Sequence, residues 1–218
     1  MSDDTRLQQW VVDELAFEPR VDAAHIGVSV RNGVVTLSGR VDSYAEKFAA
    51  EEATRRIKGV TAVAQELEVH LPSHKKTDDA EIAARLVRML DWDVLIPHRG
   101  ITVKVEHGYL TLGGEVEWHY QRTEAEADAR KLSGVKAVIN DIHVRSAIRP
   151  ENVKARLHAA LERNAAAQAD RVSVDVTGTK VTLTGKVNAW TERETIERAA
   201  WSVPGVSEVD DRIGLARP

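Results

Sequence analysis

The chain has 218 residues, 43% of them hydrophobic and 29% charged, with no cysteine and a formal net charge of -4. Those values suit a folded globular protein, and they exclude disulfides, thiolate nucleophiles and cysteine-based zinc sites. With a pI near 6.1, there is no overall attraction to nucleic-acid phosphate, so DNA or RNA is not an expected partner.

Taken in chain order, Leu7, Val11 and Leu15 stand at steps of four and predict one apolar helix face. Ile26, Val28 and Val30 then alternate as a half-buried strand. Asn32-Gly33 suits a two-residue type I′ turn, which would set Val30 opposite Val35, Val28 opposite Leu37 and Ile26 opposite Gly39. A second helix is predicted from Ser43-Tyr-Ala-Glu46, which reads as a capping box, and from the charge pairs Glu51/Arg55 and Glu52/Arg56. Val63 to Val69 reads as a third strand.

The series then returns twice. Thr77, Asp78 and Asp79 are capping residues ahead of the stripe Ile82, Leu86, Leu90. Ile101, Val103 and Val105 alternate up to His107-Gly108, Glu126/Arg130 pairs on the next helix, and Val138 to Val144 closes the copy. Pro150 suits the first turn of a helix bearing Val153, Leu157 and Leu161. Val172, Val174 and Val176 lead into Gly178-Thr179, with glycine first as a type II′ turn requires, so that Val176 faces Val181 and Val174 faces Leu183. Glu194/Arg198 and Val209 to Leu215 complete the third copy. The anchors are Gly33-Val-Val-Thr-Leu-Ser-Gly39, Gly108-Tyr-Leu-Thr-Leu-Gly-Gly114 and Gly178-Thr-Lys-Val-Thr-Leu-Thr-Gly185. Gly59, Gly134 and Gly205 each follow the second anchor glycine by 20 residues, and each is followed by valine. Leu7–Val69, Ile82–Val144 and Val153–Leu215 thus align without a gap over 63 residues.

The expected fold is α+β: three tandem α-β-β-α-β modules, each a three-stranded mixed sheet covered on one face by two helices. Strand two should be central, antiparallel to strand one and parallel to strand three through a right-handed crossover. The expected domains are residues 3–71, 78–146 and 149–217. The short linkers, stiffened by Pro72 and Pro150, and the small size of each unit predict modules that pack on one another.

This order, the paired glycines around a Val/Leu-Thr-Leu strand and the closing Gly134-Val-Lys-Ala-Val-Ile-Asn140-Asp-Ile-His-Val144 resemble the BON domain, a bacterial module named for osmotic-stress and nodulation proteins. The resemblance implies attachment to membranes, phospholipids or other proteins under osmotic or envelope stress, with no catalytic residues and no cofactor to carry over. It also implies a transport-associated, osmotic-stress type of protein. The acidic start Met1-Ser-Asp-Asp-Thr-Arg6 lacks the basic and then apolar pattern of an export signal, and no later segment has the length of a membrane span. The expected location is therefore cytoplasmic, or periplasmic for a chain trimmed of a leader.

Candidate chemistry is sparse. His70 and His74 stand four apart in a lysine-rich linker with no third ligand, so neither a metal nor a cofactor is expected. Asp78-Asp79 and Asp210-Asp211 are read as acids at element starts. No P-loop, nucleophile elbow or His-Glu-x-x-His occurs, and no enzyme is expected. Gly33, Gly39, Gly108, Gly114, Gly178 and Gly185 are assigned to backbone geometry in turns and at close approaches. Asn140, with counterparts Gln65 and Asp211, falls on the inward phase of the last strand, where a backbone hydrogen bond is expected. Tyr44, Trp118 and Trp190 recur at the start of helix two, where packing within or between modules is expected, and they are the candidate lipid or partner contacts as the alternative. Trp92 is placed in the connection after the second copy's first helix, and Trp10 and Trp201 on helices. Phospholipid is the preferred partner, with a protein-interaction or chaperone-like scaffold second and a small ion or ligand third; oligomeric state is left open.

Overall fold

The structure, a computed structural model, describes residues 3–73, 77–97, 100–145, 153–162 and 172–216. It divides into two compact units, Met1–Gly113 with Glu124–Asp141, and Gly114–Thr123 with Ile142–Pro218.

Module one runs α1 (Asp3–Phe17), a 3-10 turn (Ala23–His25), β1 (Ile26–Arg31), β2 (Val34–Val41), α2 (Tyr44–Arg55) and β3 (Ala62–Val69). Module two runs α3 (Asp79–Trp92), β4 (Ile101–Glu106), β5 (Tyr109–Val116), α4 (His119–Arg130), β6 (Ala137–Asn140) and β7 (His143–Val144). Module three runs α5 (Val153–Glu162), β8 (Val172–Thr177), β9 (Lys180–Val187), α6 (Trp190–Trp201) and β10 (Glu208–Leu215). The fold is therefore α+β, three α-β-β-α-β modules with a mixed sheet in each. Its second strand is central in every module, with orders β1-β2-β3, β4-β5-β6 and β10-β9-β8. Strand one pairs antiparallel and strand three parallel in the outer modules. In module two the last strand breaks at Asp141-Ile142, where a single run to Val144 was expected; β6 and β7 each pair parallel with β5. Trp92 ends α3 and does not stand in the connection after it.

The expected registers are present: Ile26 faces Gly39, Val28 faces Leu37 and Val30 faces Val35, while Val174 faces Leu183 and Val176 faces Val181. Asn32 and Gly33 both have positive φ, 52° and 78°, as a type I′ turn needs, and so do His107 and Gly108. At the third tip only Gly178 does, so the glycine that is displaced in sequence changes the turn and keeps the pairing. Gly39 is constrained from two sides. Its φ is 116°, and a Cβ there would stand 2.2 Å from the His25 carbonyl oxygen.

Leu7, Val11, Leu15, Val35, Leu37 and Leu67 form the buried core of module one. Ile82, Leu86, Leu90, Leu110 and Leu112 are buried in module two. Leu157, Val174, Leu183, Ile196 and Ile213 belong to the core of module three. Pro150 and His74, and the side chains of Val153 and Leu161, lie outside the described residues.

An aspartate ties helix one to the hairpin in the first two modules. Asp4 accepts from the Asn32 and Gly33 N–H groups at 2.8 and 3.1 Å, and Asp79 accepts from His107 and Gly108 at 2.6 and 2.9 Å. Asp78 is the true N-cap of α3, accepting from Glu81 N–H, so the Asp78-Asp79 pair divides its work between cap and clamp. The repeat-equivalent position in module three is Pro150, and there the turn is of the other type. Helix two is anchored similarly: Glu46, Gln121 and Glu192, at equivalent positions, accept from the N–H groups of Asp42, Glu117 and Asn188. Ser43 caps α2.

Candidate functional site

Helix two carries polar bridges to the last strand. Asn140 donates to Glu126 at 2.9 Å, and Gln65 reaches Glu51 at 3.4 Å. Asp211 reverses the polarity, accepting from Arg193 at 2.6 Å. Gln65 and Asp211 also accept a backbone N–H two residues on, the backbone hydrogen bond expected on this inward phase of the strand. Asp210 and Asp211 lie inside β10 and not at an element start; Arg212 holds the Asp210 carboxyl below its ordinary range, with help from Lys180.

The aromatic residues expected to make contacts at the start of helix two are half-buried. Tyr44 and Trp190 are the first residues of α2 and α6, and Trp118 takes the N-cap position before α4, where Ser43 stands in module one. The Trp190 ring has the Arg193 guanidinium 5.2 Å from its centroid. Nearby positions on helix two pack between modules. Arg130 lies over the Phe48 ring at 3.7 Å, and His119 stacks on Trp201 at 4.0 Å with planes 6° apart. The rings in these contacts are Phe48, His119 and Trp201, and not the exposed Trp92 that was expected to fill such a place.

Among the described residues, the most exposed large apolar side chains lie at or just beyond the end of helix one. Phe17 is 84% exposed and Trp92 87%, at equivalent positions, and Val94 just beyond is 96% exposed. Each aromatic borders a shallow groove at the same place in its module. In module one the groove is about 400 Å³, lined by Trp10, Asp13, Glu14, Phe17 and Ile57. In module two it is about 460 Å³, lined by Arg85, Arg88, Met89, Trp92 and Leu132. Every lining position of one corresponds to a lining position of the other in the repeat. Sequence reasoning named Trp10 and Trp92 but passed over Phe17, Arg85 and Arg88; the coincidence of Phe17 with Trp92 in register was the available signal.

The surroundings of the two grooves differ in charge chemistry. In module one the helix exits are clamped by ions: Glu18, only 8% exposed, accepts from Arg20 at 2.8 Å and Arg56 at 3.0 Å. Arg56 also reaches Glu14. Hydrogen bonds from Arg20 and then Arg56 hold the Glu18 carboxyl down to about 2. In module two the corresponding positions hold Asp93, Leu95, Lys131 and Met89. Asp93 is spent on the turn, accepting from Leu95 N–H at 2.8 Å, and Lys131 pairs with Asp128. Leu95 and Val94 are left exposed. Arg85 pairs with Glu81, while Arg88 forms no ion pair among the described residues. Among those residues no group of three or more His, Asp or Glu could hold a metal ion, and no helix is long and apolar enough to cross a membrane.

The BON domain model matches this chain three times, at residues 3–70, 78–146 and 151–217. The chain belongs to the BON domain family. Osmotically-inducible protein Y of Escherichia coli (strain K12) is similar to it, 29% identical over 144 residues, which cover 64% of this chain and 72% of that protein. Solved structures superpose only loosely. CdsD, a structural protein of the type III secretion system of Chlamydia trachomatis, is 16% identical with a TM-score of 0.27, covering 97% of this chain and 92% of that one. The PrgH periplasmic domain is 10% identical with a TM-score of 0.24, covering 94% and 99%. Neither superposition bears on function.

Proposed function

We propose that this BON protein is a non-catalytic, stress-associated binding protein that attaches to anionic phospholipid surfaces through the helix-one face of module two. The stress association is supported by the name of the Escherichia coli relative, Osmotically-inducible protein Y. The observation that carries the membrane reading is the exposed set Trp92, Val94 and Leu95 beside Arg85 and Arg88. An aromatic ring flanked by aliphatic side chains gains by entering the headgroup boundary, and each nearby guanidinium adds about 1 kcal/mol of attraction at an anionic surface. The half-buried Tyr44, Trp118 and Trp190 are less available for such contact.

Co-sedimentation with vesicles of phosphatidylcholine alone, or with phosphatidylglycerol added, tests this. Wild-type protein should pellet with the anionic vesicles, with Trp emission moving to the blue; Trp92→Ala and Arg88→Glu should each weaken pelleting by about tenfold. Equal pelleting of wild type and both variants, or none at all, would reject the reading.

A further inference from the structure

We infer that the groove of module one is a docking site for the groove of module two on a second copy of this chain. The two grooves occupy equivalent places and both carry apolar side chains, Trp10, Phe17 and Ile57 in one and Met89, Trp92 and Leu132 in the other. At one lining position the charge is reversed, Asp13 in module one against Arg88 in module two; Glu14, paired with Arg56, corresponds to Met89, and Arg85, paired with Glu81, corresponds to Trp10.

Pairing of like grooves would set Asp13 against Asp13 or Arg88 against Arg88. Unlike grooves set Asp13 against Arg88 beside apolar side chains on both sides. Nor do the two grooves of one molecule cover each other, since Phe17 and Trp92 are both almost fully exposed. The matching partner must therefore come from another chain. When both grooves of each chain engage the other, the two contacts together form an isologous, two-fold dimer. Its small size places it among weak, concentration-dependent associations. It would occupy the same module-two face that the membrane reading uses, so the two occupants compete. The self-association stands without lipid and is tested without it.

Sedimentation velocity on the full chain, from about 5 to about 500 µM, reads the association directly. At about 50 mM NaCl the weight-average mass should rise with concentration toward twice 24.1 kDa, and about 500 mM NaCl should reverse the rise. Asp13 and Arg88 are exposed, so their exchange tests charge without disturbing the core. Asp13→Arg alone and Arg88→Asp alone should each remain at monomer mass. An equimolar mixture of the two variants restores complementary pairs in both contacts and should associate again. A wild type that stays monomeric throughout, an association untouched by either single exchange, or a mixture that fails to associate would each overturn the inference. Asp13→Arg leaves Arg88 in place and should still bind anionic vesicles, whereas Arg88→Asp should lose both behaviours, so failure of one reading is separable from failure of the other.

Discussion

Replacement of Glu18 by Gln removes the charge that joins the end of α1 to the end of α2. The carboxyl is held at about 2 against an ordinary 4.5, and at ~1.36 kcal/mol for each tenfold change in acidity that sets a ceiling of about 3 kcal/mol. Arg20 and Arg56 are 57% and 44% exposed, so solvent screening reduces the expected contribution to about 1–2 kcal/mol. Because the folded carboxyl is the stronger acid, this stability is complete above about pH 5 and is lost as the pH falls toward 2. Hydrogen exchange read by mass spectrometry separates the modules. At pH 7, E18Q should lower protection about 5- to 30-fold in segments 7–15 and 34–41, and leave segment 172–187 unchanged. Near pH 2.5 the free-energy difference between wild type and variant should fall to about a quarter of its value at pH 7, because a carboxyl held at about 2 is still partly ionised there. Equal protection at pH 7, or a deficit that persists undiminished at pH 2.5, would refute the reasoning.

Gly39→Ala should destabilise module one by more than about 3 kcal/mol, since it combines a disfavoured φ with a backbone oxygen 2.2 Å from the new carbon; loss of protection in β1 and β2 at neutral pH would show it. Asp79→Ala removes two hydrogen bonds to the His107-Gly108 turn and should cost about 1–2 kcal/mol, read as faster exchange at residues 101–112. Phe48→Ala removes the ring beneath Arg130; about 1 kcal/mol should be lost, and the unfolding of modules one and two in urea should become less cooperative.

Repetition made much of this fold legible without coordinates. A 3.6-residue stripe, a two-residue alternation and a turn dipeptide are local signals, and three copies in one register corroborate each other. Even the displaced glycine at 178 was interpretable, because turn type follows from which central residue has positive φ. The break of the last strand in module two was not visible, since Asn140-Asp-Ile-His143 keeps an alternation that continues through an irregular backbone. The placement of Asp79 was also hidden: an acid at a helix start caps in most contexts, and only the nearness of the hairpin tip gives it a different partner.

The functional surface divides along the same line. Sequence determined that aromatics recur near helix starts and ends, but it could not determine which of them remain in water. Burial is a property of what lies across from a side chain, and those neighbours are remote in sequence: Arg130 for Phe48, Trp201 for His119. Tertiary structure alone decided that Phe17 and Trp92 stay exposed, and that residues as distant as Leu132 complete the groove around Trp92.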